Sequence, residues 1–211
     1  FFPLPILLER LGVLSGVEDE VTEAVEVLDR LAVENAPEIP VNRNLSKRLA
    51  VEIAGTIPIV YGFRQYGAVA RRLKTQFNEN SKIPSWYDVF PELSHNEVMS
   101  WEAPHPTTER LSVILIRDPA EPPEIRLHIE TVKALISKRA WRLLEIHAVG
   151  EGSLAKMFST LYVGDLTSIY LAILRGVDPT PIRLISRVKE ELRALHLTER
   201  LEGEVRLLAE H

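Results

Sequence analysis

Apolar positions in the first fifty residues recur every three or four places. They fall at Ile6, Leu7, Leu11 and Leu14 ahead of Gly16, and then at Val21, Ala24, Val25, Leu28 and Leu31. Each series predicts one amphipathic helix, over 1–14 and about 17–36. The acids Glu18, Asp19 and Glu20 open the second, where a helix dipole favours negative charge. A proline-containing link, Pro37 to Pro40, leads to a third predicted helix over about 44–54. The pattern then changes to short continuous apolar runs. Strands are predicted at 57–62, weakly at 86–90, at 111–116 and at 141–149, with helices over 65–78 and 123–139 between them. A long apolar-periodic helix over 154–174 follows, then Pro179 and Pro181, a last helix over about 182–195, and a charged, helix-prone remainder from Thr198. Surface loops are predicted at 106–108 and 118–123. Strands alternating with helices of this length predict an α/β fold, a parallel sheet of four or five strands flanked by helices. The same pattern divides the chain into a helical connector, 1–54, and an α/β domain with C-terminal helices, 55–211.

Composition narrows the partners. With 211 residues and 45% apolar side chains the chain can fill a core. A net charge of −5 argues against a nucleic-acid partner, which selects a basic face. Cysteine is absent, so disulfides and thiolate nucleophiles are excluded, which fits a reducing cytoplasmic compartment. No uninterrupted apolar run approaches the roughly 18 residues of a membrane span. The opening FFPLPILL is too short for a secretory signal and lacks its basic flank.

Candidate chemistry concentrates in Phe77 to Trp101, FNENSKIPSWYDVFPELSHNEVMSW. Glu79 falls where the 65–78 helix must end, because Pro84 forbids its continuation. Ser94 can cap a helix beginning at His95, and Glu97 follows two residues later. A carboxylate and an imidazole on two such corners are a common way to aim both into one cleft. Ligands of parallel sheets gather outside the carboxyl ends of the strands. Arg64, in Gly62-Phe-Arg-Gln, and the loop Gly150-Glu-Gly152 lie at such ends. Thr167 sits in the apolar helix with Asp165, where a threonine commonly bonds back to its own helix. The histidines at 105, 128, 147, 196 and 211 show no metal-ligand spacing, and no Gly-rich nucleotide loop occurs, so neither metal nor cofactor is expected.

The run FNEN-x-K-x-P followed by FPEL-x-HNE resembles the signature of the bifunctional phosphoglucose/phosphomannose isomerases, a branch of the sugar-isomerase (SIS) fold. Gly164-Asp-Leu-Thr-Ser-Ile-Tyr-Leu-Ala, Arg175-Gly-Val-Asp-Pro-Thr-Pro and the opening FFPLPILLERLGVL extend the match over nearly the whole chain. The resemblance implies an aldose–ketose isomerase acting on glucose, mannose and fructose 6-phosphates through a cis-enediol. In it Glu79 is the base, and His95 opens the sugar ring, reaching the partner subunit's site in a homodimer. Thr167 helps accept both C2 epimers. Tyr170 stands in a helix where some relatives carry a lysine that assists ring opening, which places more of that task on His95. Arg64 is a further candidate contact to phosphate or enediolate. The family carries an earlier SIS half with a Ser/Thr-rich phosphate loop, and no such loop occurs here. Together with the missing initial methionine, this leads us to expect a C-terminal portion whose upstream half supplies the phosphate contacts. The competing reading is a noncatalytic SIS module that binds a sugar phosphate or pairs with another protein; it needs no base.

Overall fold

The protein is described here from a computed structural model, which covers residues 3–195, 201–202 and 205. Phe1, Phe2 and most of the stretch from 196 onward lie outside the described residues.

Four helices or helical pieces precede the first strand. Helix α1 spans Pro3–Arg10 and buries no residue. It stops short of the predicted boundary, so Leu11 and Leu14 of the expected stripe lie outside it and are exposed. Helix α2 spans Val17–Glu34 and buries Val17, Ala24, Val27 and Leu31. Val25, placed on the buried stripe by the sequence pattern, points outward, because the seven-residue spacing of 17, 24 and 31 keeps one narrow face inward. Helix α3, Leu45–Ile53, starts at Asn44, whose side chain accepts from the Lys47 amide.

The sheet has four strands in the order β2-β1-β3-β4, all parallel. They are β1 Ile57–Phe63, β2 Trp86–Phe90, β3 Leu111–Arg117 and β4 Arg142–His147. Between them run α4, Tyr66–Glu79, the short α5, His105–Thr108, and α6, Pro123–Ile136. The four-residue α5 lies where the sequence predicts a loop. Because β1 steps to β2 on one side and β3 steps to β4 on the other, right-handed crossovers put α4 and α6 on opposite faces. Helix α7, Ser153–Leu174, packs on the α4 side against α2, α3 and α4. A Cβ at Gly164 would overlap the Leu73 side chain, so α4 and α7 approach closely there.

By length and composition α7 does reach membrane-spanning size, contrary to the expectation from uninterrupted runs. Ser159, Thr160, Thr167 and Ser168 on its buried face bond inside the fold, and three helices cover it, so it serves as a core helix. Residue contacts group the chain into two compact units, Phe1–Pro179 and Thr180–His211. Helices α2 and α3, read from sequence as a connector, thus share a unit with the sheet. The second unit contains α8, Arg183–Ala194, with no buried residue.

The 118–123 segment, predicted as a surface loop, is instead anchored in the interior. Arg117, at the carboxyl end of β3, is bound by Glu121 at 2.5 Å, Glu130 at 2.7 Å and Glu145 at 2.7 Å. Burial alone would raise the Glu121 and Glu145 carboxyls. Their bonds to Arg117, and for Glu145 also to Lys133, outweigh it and leave both below the ordinary 4.5. Groups lowered in this way contribute stability that is present above their ordinary value and lost as pH falls through the lowered one. Arg117→Met should therefore cost about 3 kcal/mol, because it leaves buried Glu121 with Arg126, at 3.3 Å, as its remaining cation. The loss should shrink below the ordinary carboxylate range, which urea unfolding at neutral and acidic pH will measure.

Candidate active site

Glu79 is the last residue of α4 and is exposed. The loop behind it is tied to α7 at several points. Asn80 Nδ2 donates to Ser168 Oγ at 2.8 Å, buried Ser81 Oγ donates to the Ser168 carbonyl at 2.6 Å, and Arg175 Nε donates to the Ser81 carbonyl at 3.1 Å. Lys82 adopts a left-handed backbone, φ 52°, and its ammonium bonds the carbonyls of Glu79 at 2.5 Å and Pro179 at 3.0 Å. Asn78 Nδ2 closes the turn onto the Ile83 carbonyl at 2.8 Å. Side chains of this polar run therefore hold its own backbone, which braces the corner that carries Glu79 and leaves its carboxyl open to solvent.

His95 is also exposed, on the turn that follows β2. A 3-10 turn, Glu92–Ser94, ends just before it, and a second, Glu97–Glu102, begins just after. The cap predicted at Ser94 falls instead on Asn96, whose side chain accepts from the Glu97 amide at 2.5 Å. Ser94 Oγ lies 3.1 Å from His128 Nδ1 of α6.

Within one chain the two groups are not in one cleft. Strand β1 runs to the carboxyl edge of the sheet, α4 returns to the amino edge where Glu79 sits, and β2 runs forward again to deliver His95 to the carboxyl edge. The five residues of β2, at about 3.3 Å each, separate the edges by roughly 17 Å. Arg64, exposed and with φ 46°, shares the carboxyl edge with His95. Thr167 is fully buried and donates to the Val163 carbonyl at 2.7 Å, the back-bonded arrangement. Tyr170 donates to the Asn35 carbonyl at 2.6 Å, and Lys47 Nζ stands 5.3 Å from its ring centre. Its hydroxyl thus ties α7 to the α2–α3 link.

The Gly150-Glu-Gly152 loop does lie at a carboxyl end, but its amides are taken. Glu23 accepts from the amides of Glu151 at 2.6 Å and Gly152 at 2.9 Å, and Glu20 accepts from Leu154 at 2.9 Å. Gly150, φ 113°, and Gly152 admit these carboxylates; a Cβ on Gly152 would come 2.7 Å from Glu23 Oε2. The acids at 18, 19 and 20 were legible as dipole-favouring charge on α2, yet Glu20 joins Glu23 in neutralising the start of a different helix.

A further groove of about 470 Å³ lies between α2, α4 and α7, lined by Leu28, Ala68, Leu161, Tyr162 and Asp165 among others. Burial raises the Asp165 carboxyl, with Arg72 at 3.4 Å opposing, and Oδ1 of Asp165 has no hydrogen-bond partner among the described residues.

Solved structures place this arrangement among sugar-phosphate SIS folds. A glucose-6-phosphate isomerase like protein from Thermus thermophilus matches with TM-score 0.68 and 28% identity over 82% of this chain and 58% of that one. Glucosamine-6-phosphate deaminase from Thermotoga maritima, at 13% identity and TM-score 0.54 over 84% of this chain and 51% of its own, shares the fold. A family model described as the bacterial phospho-glucose isomerase C-terminal SIS domain matches residues 42–192. The bifunctional phosphoglucose/phosphomannose isomerase of Caldicellulosiruptor bescii is 36% identical over 91% of this chain, and that of Aquifex aeolicus 33% identical over 91%. The chain belongs to this bifunctional isomerase family, of which it matches the C-terminal SIS domain. It spans 57% and 58% of the length of those two relatives.

The tie between the Glu79 loop and α7 is open to test. Ser81→Ala removes one buried hydroxyl bond and should cost about 1 kcal/mol of stability. It should also speed hydrogen exchange at the Asn80 and Ile83 amides, which close this turn, well before it affects amides of β1 or β3.

Proposed function

We propose that this chain is the proton-transferring part of an aldose–ketose isomerase that interconverts glucose 6-phosphate and mannose 6-phosphate with fructose 6-phosphate, in the cytosol. The observation that carries the reading is the Glu79 corner. It is an exposed carboxyl on a loop locked by Asn80, Ser81, Lys82 and Arg175, in a chain of this isomerase family. Glu79 removes the proton from the carbon next to the carbonyl of the open-chain sugar, giving a cis-enediol. It then returns that proton to the adjacent carbon, so one carboxylate serves both directions. His95 moves a proton between the ring oxygen and the C1 hydroxyl. Arg64 on the carboxyl edge is a contact for phosphate or enediolate. Thr167 acts from inside the fold, setting how α7 packs beside the loop and hence the room at C2. Tyr170 braces α7 and leaves ring opening to His95. An upstream SIS half supplies the phosphate contacts, and the apolar groove at α2, α4 and α7 offers it or a second subunit a seat.

The roughly 17 Å separation of the sheet edges supports a site shared between two subunits, with His95 of one serving Glu79 of the other. Two experiments follow. Glu79→Gln in the full-length protein should lower solvent deuterium uptake into fructose 6-phosphate by about 10²-fold or more, with little change in sugar-phosphate affinity. Uptake equal to wild type places the base elsewhere, and a wild type that binds the sugar without exchange favours the noncatalytic module. Mixing inactive Glu79→Gln and His95→Ala proteins after subunit exchange should restore about a quarter of wild-type turnover, since half the dimers are mixed and each holds one intact site. No recovery excludes the shared site.

A further inference from the structure

Glu97 closes the HNE segment, and the isomerase reading leaves it without a task. It is half-buried, and its Oε1 accepts from Tyr61 Oη at 3.2 Å. The same Tyr61 hydroxyl accepts from Trp101 Nε1 at 3.1 Å. Tyr61 is 1% exposed in the middle of β1, edge-on to Phe90 with ring centres 6.2 Å apart. A phenylalanine would serve that packing equally well. A hydroxyl carried into a core is costly unless bonded, and here both of its bonds go to the 3-10 turn that starts two residues after His95. On the other side of His95, Ser94 meets His128 of α6, and fully buried Leu93 plugs the first turn into the core. His95 is therefore an exposed ring on a backbone clamped at both flanks.

We propose that Glu97 is a positioning residue for His95: through Tyr61 and Trp101 it holds the turn so that the imidazole projects at a fixed angle from the carboxyl edge. The proposal rests on the isomerase reading for its consequence, though its geometry does not. A group that must reach a site outside its own sheet edge gains most from such rigidity, since a misplacement of about 1 Å can cost about 10²-fold in rate. Burial raises the Glu97 carboxyl, Tyr61 opposes the rise, and Asp88 adds to it. The bond with Tyr61 accordingly joins two desolvated groups rather than a surface pair.

The test separates ring opening from proton transfer in the full-length protein. Enzyme-catalysed anomerisation of fructose 6-phosphate, followed by magnetisation exchange, reports His95; solvent deuterium uptake at C1 reports Glu79. Tyr61→Phe and Glu97→Ala should each lower the ratio of anomerisation to uptake by about tenfold or more. Glu97→Gln, whose amide oxygen still accepts from Tyr61, should recover most of it. Losses of both rates in parallel would mark a merely structural role and overturn the proposal. Should wild type perform neither reaction, the isomerase reading fails, and the His95 ring resonance decides the positioning alone. In that measurement Glu97→Ala should broaden or split the signal and Glu97→Gln should not; a ring signal identical in all three proteins would overturn the proposal.

Discussion

Parallel pairing of β1 with β2 is the constraint on which the layout of this protein depends. A parallel neighbour obliges the chain to travel back the full depth of the sheet before it can pair again. Helix α4 makes that journey, so the residue that ends it and the residues that follow β2 are held on opposite edges. Sixteen positions along the chain, which could have been neighbours in a hairpin, become the thickness of a domain. Any chemistry that needs both Glu79 and His95 then needs a second body to close the distance. On the proposed shared site, the need for assembly follows from strand direction rather than from a sticky patch.

Helix α7 is the strut that makes the two ends cohere. At its start, acids from α2 satisfy the loose amides; towards its other end, Ser168 and Arg175 receive the loop behind Glu79. Its middle is pressed onto α4 so closely that only a glycine fits at 164. A rigid element with both termini bonded to distant chain segments carries the geometry of the amino edge by hydrogen bonds and packing. The seryl and threonyl side chains that interrupt its apolar run are what make many of those bonds, and they also distinguish it from a lipid-facing helix.

Much of this could be read from residue order, and what could not has identifiable physical causes. Strands β1 to β4 and helices α3, α4, α6 and α7 were legible because apolar runs, glycines and prolines punctuate them at the right lengths. The Glu79 corner was legible because Pro84 stops a helix that periodicity starts. Four features were not. The depth between Glu79 and His95 is a property of strand direction, which a sequence window does not contain. The burial of Glu121 was hidden because a loop rich in charge and proline reads as solvated unless its cation partner, Arg117 at the end of an apolar strand, is known to face inward; Asp118 is buried against other partners, Tyr66 at 2.6 Å and Lys156 at 3.5 Å. Tyr61 looked like one more aromatic in a core strand, since nothing local reveals that its hydroxyl is shared by Glu97 and Trp101, some forty residues away. The cap at Asn96 rather than Ser94 is a shift of two positions, decided by which side chain lies over the free amide.

The acids Glu20 and Glu23 have a consequence for directionality. In many α/β folds the edge they fill is where a phosphoryl group docks. A hexose phosphate coming to this domain would find like charge there instead of open amides. On the isomerase reading, its anionic end is turned away from this loop. Two carboxylates that touch neither substrate nor base would thereby close one helix start to the phosphate.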